Sequence, residues 1–129
     1  MKIDHLALWT ADLERSKEFY VDFFGATAGE KYHNPVKRFT SYFLSFANEV
    51  RLEIMHRPDI TELRKTAGAE IMGLNHFAIA LGSREKVFAL TNLLKKEGYT
   101  VAGEPRTTGD GYFESVVLDP DGNRLELTI

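Results

Sequence analysis

Apolar and polar positions alternate along residues 3 to 9, with Leu6 and Leu8 on one side and Ile3, His5, Ala7 and Trp9 on the other. Period-two alternation predicts a half-buried strand. Thr10, Ala11 and Asp12 then offer helix caps, and Leu13, Ser16, Tyr20, Phe23 and Phe24 follow at helical spacing until Gly25. A short strand is expected near residues 27–32. The aromatic run 39–46 reads as a further strand, turned at Asn48 and Glu49 into an antiparallel strand over 50–55. The first half of the chain is therefore predicted to be a βαβββ module.

Between residues 56 and 73 the periodicity breaks at Pro58, Gly68 and Gly73, which predicts a linker with room for a short helix over 61–67. The strand pattern returns over 74–81. Ser83 caps a helix carrying Val87, Leu90, Thr91 and Leu94 at i, i+3, i+4 and i+7 before Gly98. A short strand over 99–102, a glycine-containing loop over 106–111 and a hairpin of 112–118 with 124–129 complete a second βαβββ module. The hairpin turns at Asp119-Pro120-Asp121-Gly122, where proline and glycine supply turn geometry.

The two modules repeat more than their elements. Ile3-Asp4-His5-Leu6-Ala7-Leu8 followed by Arg51-Leu52-Glu53-Ile54 is answered by Leu74-Asn75-His76-Phe77-Ala78-Ile79 followed by Arg124-Leu125-Glu126-Leu127, at nearly the same separation. Strand parity puts His5, Glu53, His76 and Glu126 on faces opposite their apolar neighbours, away from the helices. Two imidazoles and two carboxylates form a mixed nitrogen and oxygen set suited to a borderline divalent metal. A histidine or glutamate alone on such a strand is ordinarily structural or solvated, and His33 and His56, without partners in the repeat, are read that way.

At 129 residues and 43% hydrophobic, the chain fits one domain, 1–129, made of modules 1–55 and 74–129 joined by the linker 56–73. Modules this small bury too little surface alone, which favours fusion or exchange with a second copy. A formal net charge of -3 with both signs interspersed gives no footprint for nucleic acid or an anionic membrane. With no cysteine, thiolate chemistry and disulfides are excluded. No signal-peptide or membrane-spanning run is evident, so a cytoplasmic location is expected.

Together with the stretches Asp12-Leu13-Glu14-Arg15-Ser16-Lys17-Glu18-Phe19-Tyr20 and Leu118-Asp119-Pro120-Asp121-Gly122-Asn123-Arg124-Leu125-Glu126-Leu127, the repeat resembles the vicinal oxygen chelate superfamily. Within it, the pattern is most similar to small bacterial glyoxalase I, lactoylglutathione lyase. The resemblance implies an α+β fold of two βαβββ modules forming a curved mixed sheet, and a divalent metal, Ni²⁺, Co²⁺ or Zn²⁺, held by His5, Glu53, His76 and Glu126. It implies a lyase that isomerises a 2-oxoaldehyde–thiol hemithioacetal through an enediolate, with Glu126 as base and Glu53 as ligand or as base on the opposite face. Glu53 sets the chain apart from relatives with a His, His, Glu set and from epimerases with glutamine there. Bacterial glyoxalase I tends to carry arginine at the position of Trp9 and asparagine at that of Arg57, so the substrate side departs from that pattern.

Trp9, which shares the parity of His5, and Phe43 on the aromatic strand are candidate walls of a substrate cavity; Arg57 and Arg106 are candidate partners for a substrate carboxylate. The expected assembly is a homodimer in which His5 and Glu53 of one subunit meet His76 and Glu126 of the other. The alternatives are another metalloenzyme of the same superfamily, such as an epimerase, dioxygenase or thiol transferase, or a metal-free binding protein of the bleomycin-resistance type.

Overall fold

The computed structural model describes residues 2–47, 50–61 and 72–129. The chain divides into two compact units, Met1–Arg64 and Lys65–Ile129. The first contains β1 (His5–Trp9), α1 (Leu13–Phe24), β2 (Thr27–Ala28), β3 (Tyr32–Asn34), β4 (Phe39–Ser45) and β5 (Arg51–His56). The second contains β6 (His76–Ala80), α2 (Arg84–Lys96), β7 (Val101–Thr107), β8 (Phe113–Leu118) and β9 (Arg124–Thr128). The short helix allowed for over 61–67 and the turn at Asn48 and Glu49 lie outside the described residues. Among the described residues no helix is long and apolar enough to cross a membrane.

Each unit builds its own mixed sheet on the same plan. In the first the order is β1-β5-β4-β2, with β3 also paired to β4; in the second it is β6-β9-β8-β7. The first strand of each unit runs parallel to its last, β1 to β5 and β6 to β9, whereas the remaining pairs are antiparallel. The helix is the crossover that parallel pairing requires.

Both helices begin and end on local chemistry. Asp12 caps α1 by accepting from the Arg15 backbone N–H at 3.1 Å, and Gly25 ends the helix in the left-handed region at φ 65°. Ser83 caps α2 through the Lys86 N–H at 3.3 Å, and Lys95 and Lys96 complement the negative end of the helix dipole. Helix α1 packs on β4 and β5, burying Leu13, Phe19 and Tyr20 with Leu44, Leu52 and Ile54. Helix α2 packs on β7, β8 and β9 and buries Val87 and Leu94 with Val117, Leu125 and Leu127. The polar groups caught beneath it are paired: Thr91 Oγ1 lies 2.7 Å from Ser115 Oγ.

Two expectations change. The single strand near 27–32 is two short strands, because β2 and β3 each pair with a different part of β4. The strand over 99–102 begins at Val101 and runs on to Thr107, so Arg106 and Thr107 belong to β7 and not to the loop. Pro105 reads as a breaker, yet β7 lies at the sheet edge, where a residue without an N–H is tolerated.

Glu14 on α1 ties the helix to the sheet. Its carboxylate accepts from Lys17 and from Lys31 Nζ at 2.9 Å, and from the Tyr42 hydroxyl at 3.1 Å. Hydrogen bonds from Lys17 first, then Lys31, hold its pKa at about 2, below the ordinary 4.5. A carboxyl depressed in the folded state stabilises above its unfolded pKa and loses that contribution as pH falls through the folded value. Glu14→Gln should therefore destabilise at neutral pH and flatten the fall in Tm as pH drops from about 4.5 towards about 2, as thermal melts across that window would show.

Candidate functional site

In both units the histidine and glutamate stand in the same register. His5 lies opposite Arg51 and Ala7 opposite Glu53; His76 lies opposite Arg124 and Ala78 opposite Glu126. Glutamate is thus the diagonal neighbour of histidine, on the face away from the helix, and the small alanine beside it leaves room for its side chain to lean across. Nε2 of His5 is 4.0 Å from Glu53 Oε2, and Nε2 of His76 is 3.3 Å from Glu126 Oε2. Both glutamates are mostly covered, at 17% and 19% side-chain exposure, while the imidazoles remain reachable from solvent.

The residue before each histidine fixes its ring. His5 Nδ1 is 3.0 Å from Asp4 Oδ2, and His76 Nδ1 is 2.9 Å from Asn75 Oδ1. A carboxylate or amide oxygen only accepts, so Nδ1 donates to it and Nε2 is the ring nitrogen turned towards the glutamate. Orientation of one ring nitrogen by an outer hydrogen bond is the arrangement that metal-ligating histidines use. Asp4 is itself held by Arg51, and the His5 hydrogen bond, then Arg51, lowers its pKa. Phe43, opposite Glu53, meets the His5 ring edge to face at 5.3 Å.

The remaining candidates separate by unit. Trp9 is 41% exposed on the face of His5 and meets Phe39 edge to face at 6.1 Å; Phe39 in turn contacts Tyr32 at 6.0 Å. Arg57 lies over Trp9 at 5.8 Å, with its guanidinium held by both carboxylate oxygens of Asp59 at 2.6 and 2.9 Å. Arg106 reaches from β7 to Glu114, with Nη2 3.3 Å from Oε1. His56 donates Nδ1–H to the Thr10 carbonyl at 3.0 Å, a structural role, and His33 is exposed on β3.

Sequence reasoning passes over Glu114. The turn at 119–122 is pinned by Asp119, whose Oδ1 accepts from the backbone N–H groups of Asp121 and Asn123 at 3.0 and 2.8 Å. That turn sets Val116 opposite Glu126 and Glu114 opposite Thr128, so Glu114 shares the face of Glu126. Burial first, then the charge of Glu114, pushes the Glu126 carboxyl above the ordinary carboxylate range, against the pull of His76. The signal was available: counting back from the turn places Glu114 beside Glu126 on parity alone.

The donor chemistry fits a divalent ion only if both pairs are used. Two ligands about 2.0–2.2 Å from one tetrahedral ion lie roughly 3.3–3.5 Å apart, which matches the His76–Glu126 spacing and asks the His5–Glu53 pair to close by a fraction of an ångström. Each unit supplies two such donors, and among the described residues no group of three or more His, Cys, Asp or Glu gathers as a metal cluster. One pair alone falls short of the three or four protein ligands of a zinc-type centre.

A model of the Glyoxalase/Bleomycin resistance protein/Dioxygenase superfamily matches residues 2–127. The chain belongs to this superfamily. It is 30% identical over 125 residues to the lactoylglutathione lyase of Arabidopsis thaliana, an alignment covering 95% of this chain and 42% of that protein. It is 28% identical over 130 residues to a probable lactoylglutathione lyase of Vibrio cholerae, covering 98% of this chain and 88% of the relative. Among solved structures, a glyoxalase family protein from Enterococcus faecalis matches with a TM-score of 0.80 at 26% identity, covering 99% of this chain and 97% of the other. The chain spans less than half the length of the plant relatives it matches.

The outer hydrogen bonds of this superfamily member give a direct expectation. Asp4→Ala removes the acceptor at Nδ1, so the neutral His5 ring should populate the Nε2–H tautomer, whereas wild type keeps the proton on Nδ1. Nitrogen-15 spectra of the imidazole in metal-free protein at alkaline pH would read the difference; unchanged shifts would contradict the assigned orientation.

Proposed function

We propose that the chain is a glyoxalase I-like lyase that isomerises a 2-oxoaldehyde–thiol hemithioacetal, using His5, Glu53, His76 and Glu126 as joint ligands of one divalent ion. The observation that carries this reading is the duplicated pair: histidine and glutamate in one register in both units, each imidazole turned so that Nε2 faces its carboxylate. Relatives named as lactoylglutathione lyases support the reaction class.

Bound there, Ni²⁺, Co²⁺ or Zn²⁺ supplies a Lewis acid for two neighbouring substrate oxygens. The chain supplies the rest. Glu126 takes the proton from the carbon next to the carbonyl and returns it to the adjacent carbon, a role that suits a carboxyl whose proton affinity is raised by burial. Glu53 acts as ligand or as base on the opposite face of the substrate. Trp9 and Phe43 wall the substrate, and Arg57 and Arg106 bear the positive charge nearby.

Folded protein loaded with each metal should convert the methylglyoxal–glutathione hemithioacetal to thioester, and Glu126→Gln should cut kcat by about 10²- to 10⁴-fold. Elemental analysis should find one ion per chain, lost in both His5→Ala and His76→Ala. Absence of turnover with every metal would overturn the lyase reading.

A second reading has its own support. Trp9, Phe39 and Tyr32 form a connected aromatic face beside His5, and Arg57 is already committed to Asp59, which suits a substrate other than a glutathione adduct. Metal uptake without hemithioacetal turnover would select another metalloenzyme of the superfamily.

We further propose that the working form is a cytoplasmic homodimer, with His5 and Glu53 of one subunit completing the ligand set of the other. Sedimentation at micromolar concentration should give twice the chain mass of 14.6 kDa, and a monomer there would refute the exchange.

A further inference from the structure

His5 and His76 share a register and a face, yet the groups around them differ. Each has an arginine directly across on the parallel strand, Arg51 for His5 and Arg124 for His76. In the first unit the residue before the histidine is an aspartate, whose Oδ2 accepts from two sides, from His5 Nδ1 at 3.0 Å and from Arg51 Nη2. The backbones are tied as well, with the Arg51 N–H donating to the Asp4 carbonyl at 3.2 Å. The same guanidinium lies over the Phe43 ring at 4.6 Å, and Phe43 meets the His5 imidazole edge to face at 5.3 Å. Contacts therefore run in a closed circuit from His5 through Asp4, Arg51 and Phe43 back to His5. In the second unit the positions of Asp4 and Phe43 hold Asn75 and Val116, an uncharged amide and a side chain without a ring.

Folding stability gives little reason for this circuit. The side chains of Arg51 and Asp4 are 40% and 60% exposed, and ion pairs so open to water contribute little. Nor does the charge of Arg51 favour a metal, since a guanidinium beside a cation site opposes the cation. What the two contacts remove is freedom. An imidazole on a strand turns about two bonds, and an exposed aspartate is by itself a mobile acceptor. Held by Arg51, Asp4 becomes a stationary one, and Phe43, covered by the same guanidinium, limits rotation of the imidazole. We propose that Arg51 is a positioning residue for His5: by holding both Asp4 and Phe43 it keeps Nε2 turned towards Glu53 and pre-orients the first unit's half of the ligand set. The geometry stands without an ion, whereas its consequence for ion binding rests on the metal reading above. A group fixed before an ion arrives gives up less freedom on binding it.

Arg51→Met keeps the length of the side chain and removes its charge and donors, while Arg51→Lys keeps a charge and a donor for Asp4 but not the planar group over Phe43. Titration calorimetry with Ni²⁺ alone reads the consequence by its sign. Loss of a nearby positive charge by itself strengthens cation binding, whereas loss of a positioning contact weakens it. Arg51→Met should bind Ni²⁺ about 10-fold more weakly than wild type, the lower end of the cost of losing an outer partner, and Arg51→Lys should fall between the two. In an Asp4→Asn background the further effect of Arg51→Met should shrink, because both residues act along one path. Crystal structures of the metal-free proteins give a second readout: in Arg51→Met the His5 ring should turn away from Glu53, while His76 in the same molecule stays beside Glu126. Arg51→Gln carries the same expectations and serves if Arg51→Met does not fold. Unchanged or tighter Ni²⁺ binding, an unmoved His5 ring, or a His76 displaced as far as His5 would each overturn the proposal. Failure of wild type to take up Ni²⁺ would instead remove the metal reading, with the crystal structures still deciding the role of Arg51.

Discussion

Parallel pairing of the first strand of each unit with its last strand aligns Ala7 with Glu53 and Ala78 with Glu126, and from that alignment the rest of the arrangement follows. Each glutamate becomes the diagonal neighbour of a histidine, with only a methyl group beside it on the histidine's strand. A shift of one residue would turn every side chain of the strand to the opposite face. What forbids the shift is the helix side of the sheet, where Leu52 and Ile54, or Leu125 and Leu127, are almost fully buried. Exposing two such side chains costs about 3–6 kcal/mol, comparable with the whole stability of a small domain, and far more than an exposed polar contact returns. The core therefore dictates where the polar residues point.

Duplication of the backbone did not keep the two polar faces equal. Where the first unit has Trp9 across from Met55, the second has Ala80 across from Thr128; Phe43 is answered by Val116, and Ser41 by Glu114. The first face is aromatic, with Trp9, Phe39 and Tyr32 in continuous ring contact and two guanidinium groups, of Arg51 and Arg57, laid over aromatic rings. The second is charged: Arg106 pairs with Glu114, and Glu126, on the same face, lies beside His76. Even the outer acceptors differ, a carboxylate at Asp4 and an amide at Asn75.

Strand alternation, helix caps and the repeat are local properties of the chain, which is why β1, α1, β6, α2 and the final hairpin are legible from Leu6, Asp12, Ser83 and Asp119 without coordinates. The four ligand candidates were legible for the same reason, since parity needs only strand direction. Register is not local. Glu114 becomes visible only once the Asp119 turn is counted through to Thr128, and Arg106 only once the irregularities in β7 are known. The split of β2 from β3 and the extension of β7 past Pro105 depend on a partner strand, β4 or β8, that supplies hydrogen bonds where the segment's own residues show no period.

The charge balance of the second unit gives the final distinction between its glutamate and that of the first. Glu114 and Glu126 are diagonal neighbours on one face, where two ionised carboxylates repel each other. Arg106 answers only part of this, because its guanidinium is 63% exposed and exposed pairs contribute about 0–1 kcal/mol. What Arg106 leaves unanswered adds to burial in raising the proton affinity of Glu126. Glu53 has serine at the position that matches Glu114, so the second carboxyl on that face is peculiar to the second unit. The difference between the two glutamates thus comes from one neighbouring residue and not from their register, which is the same in both units.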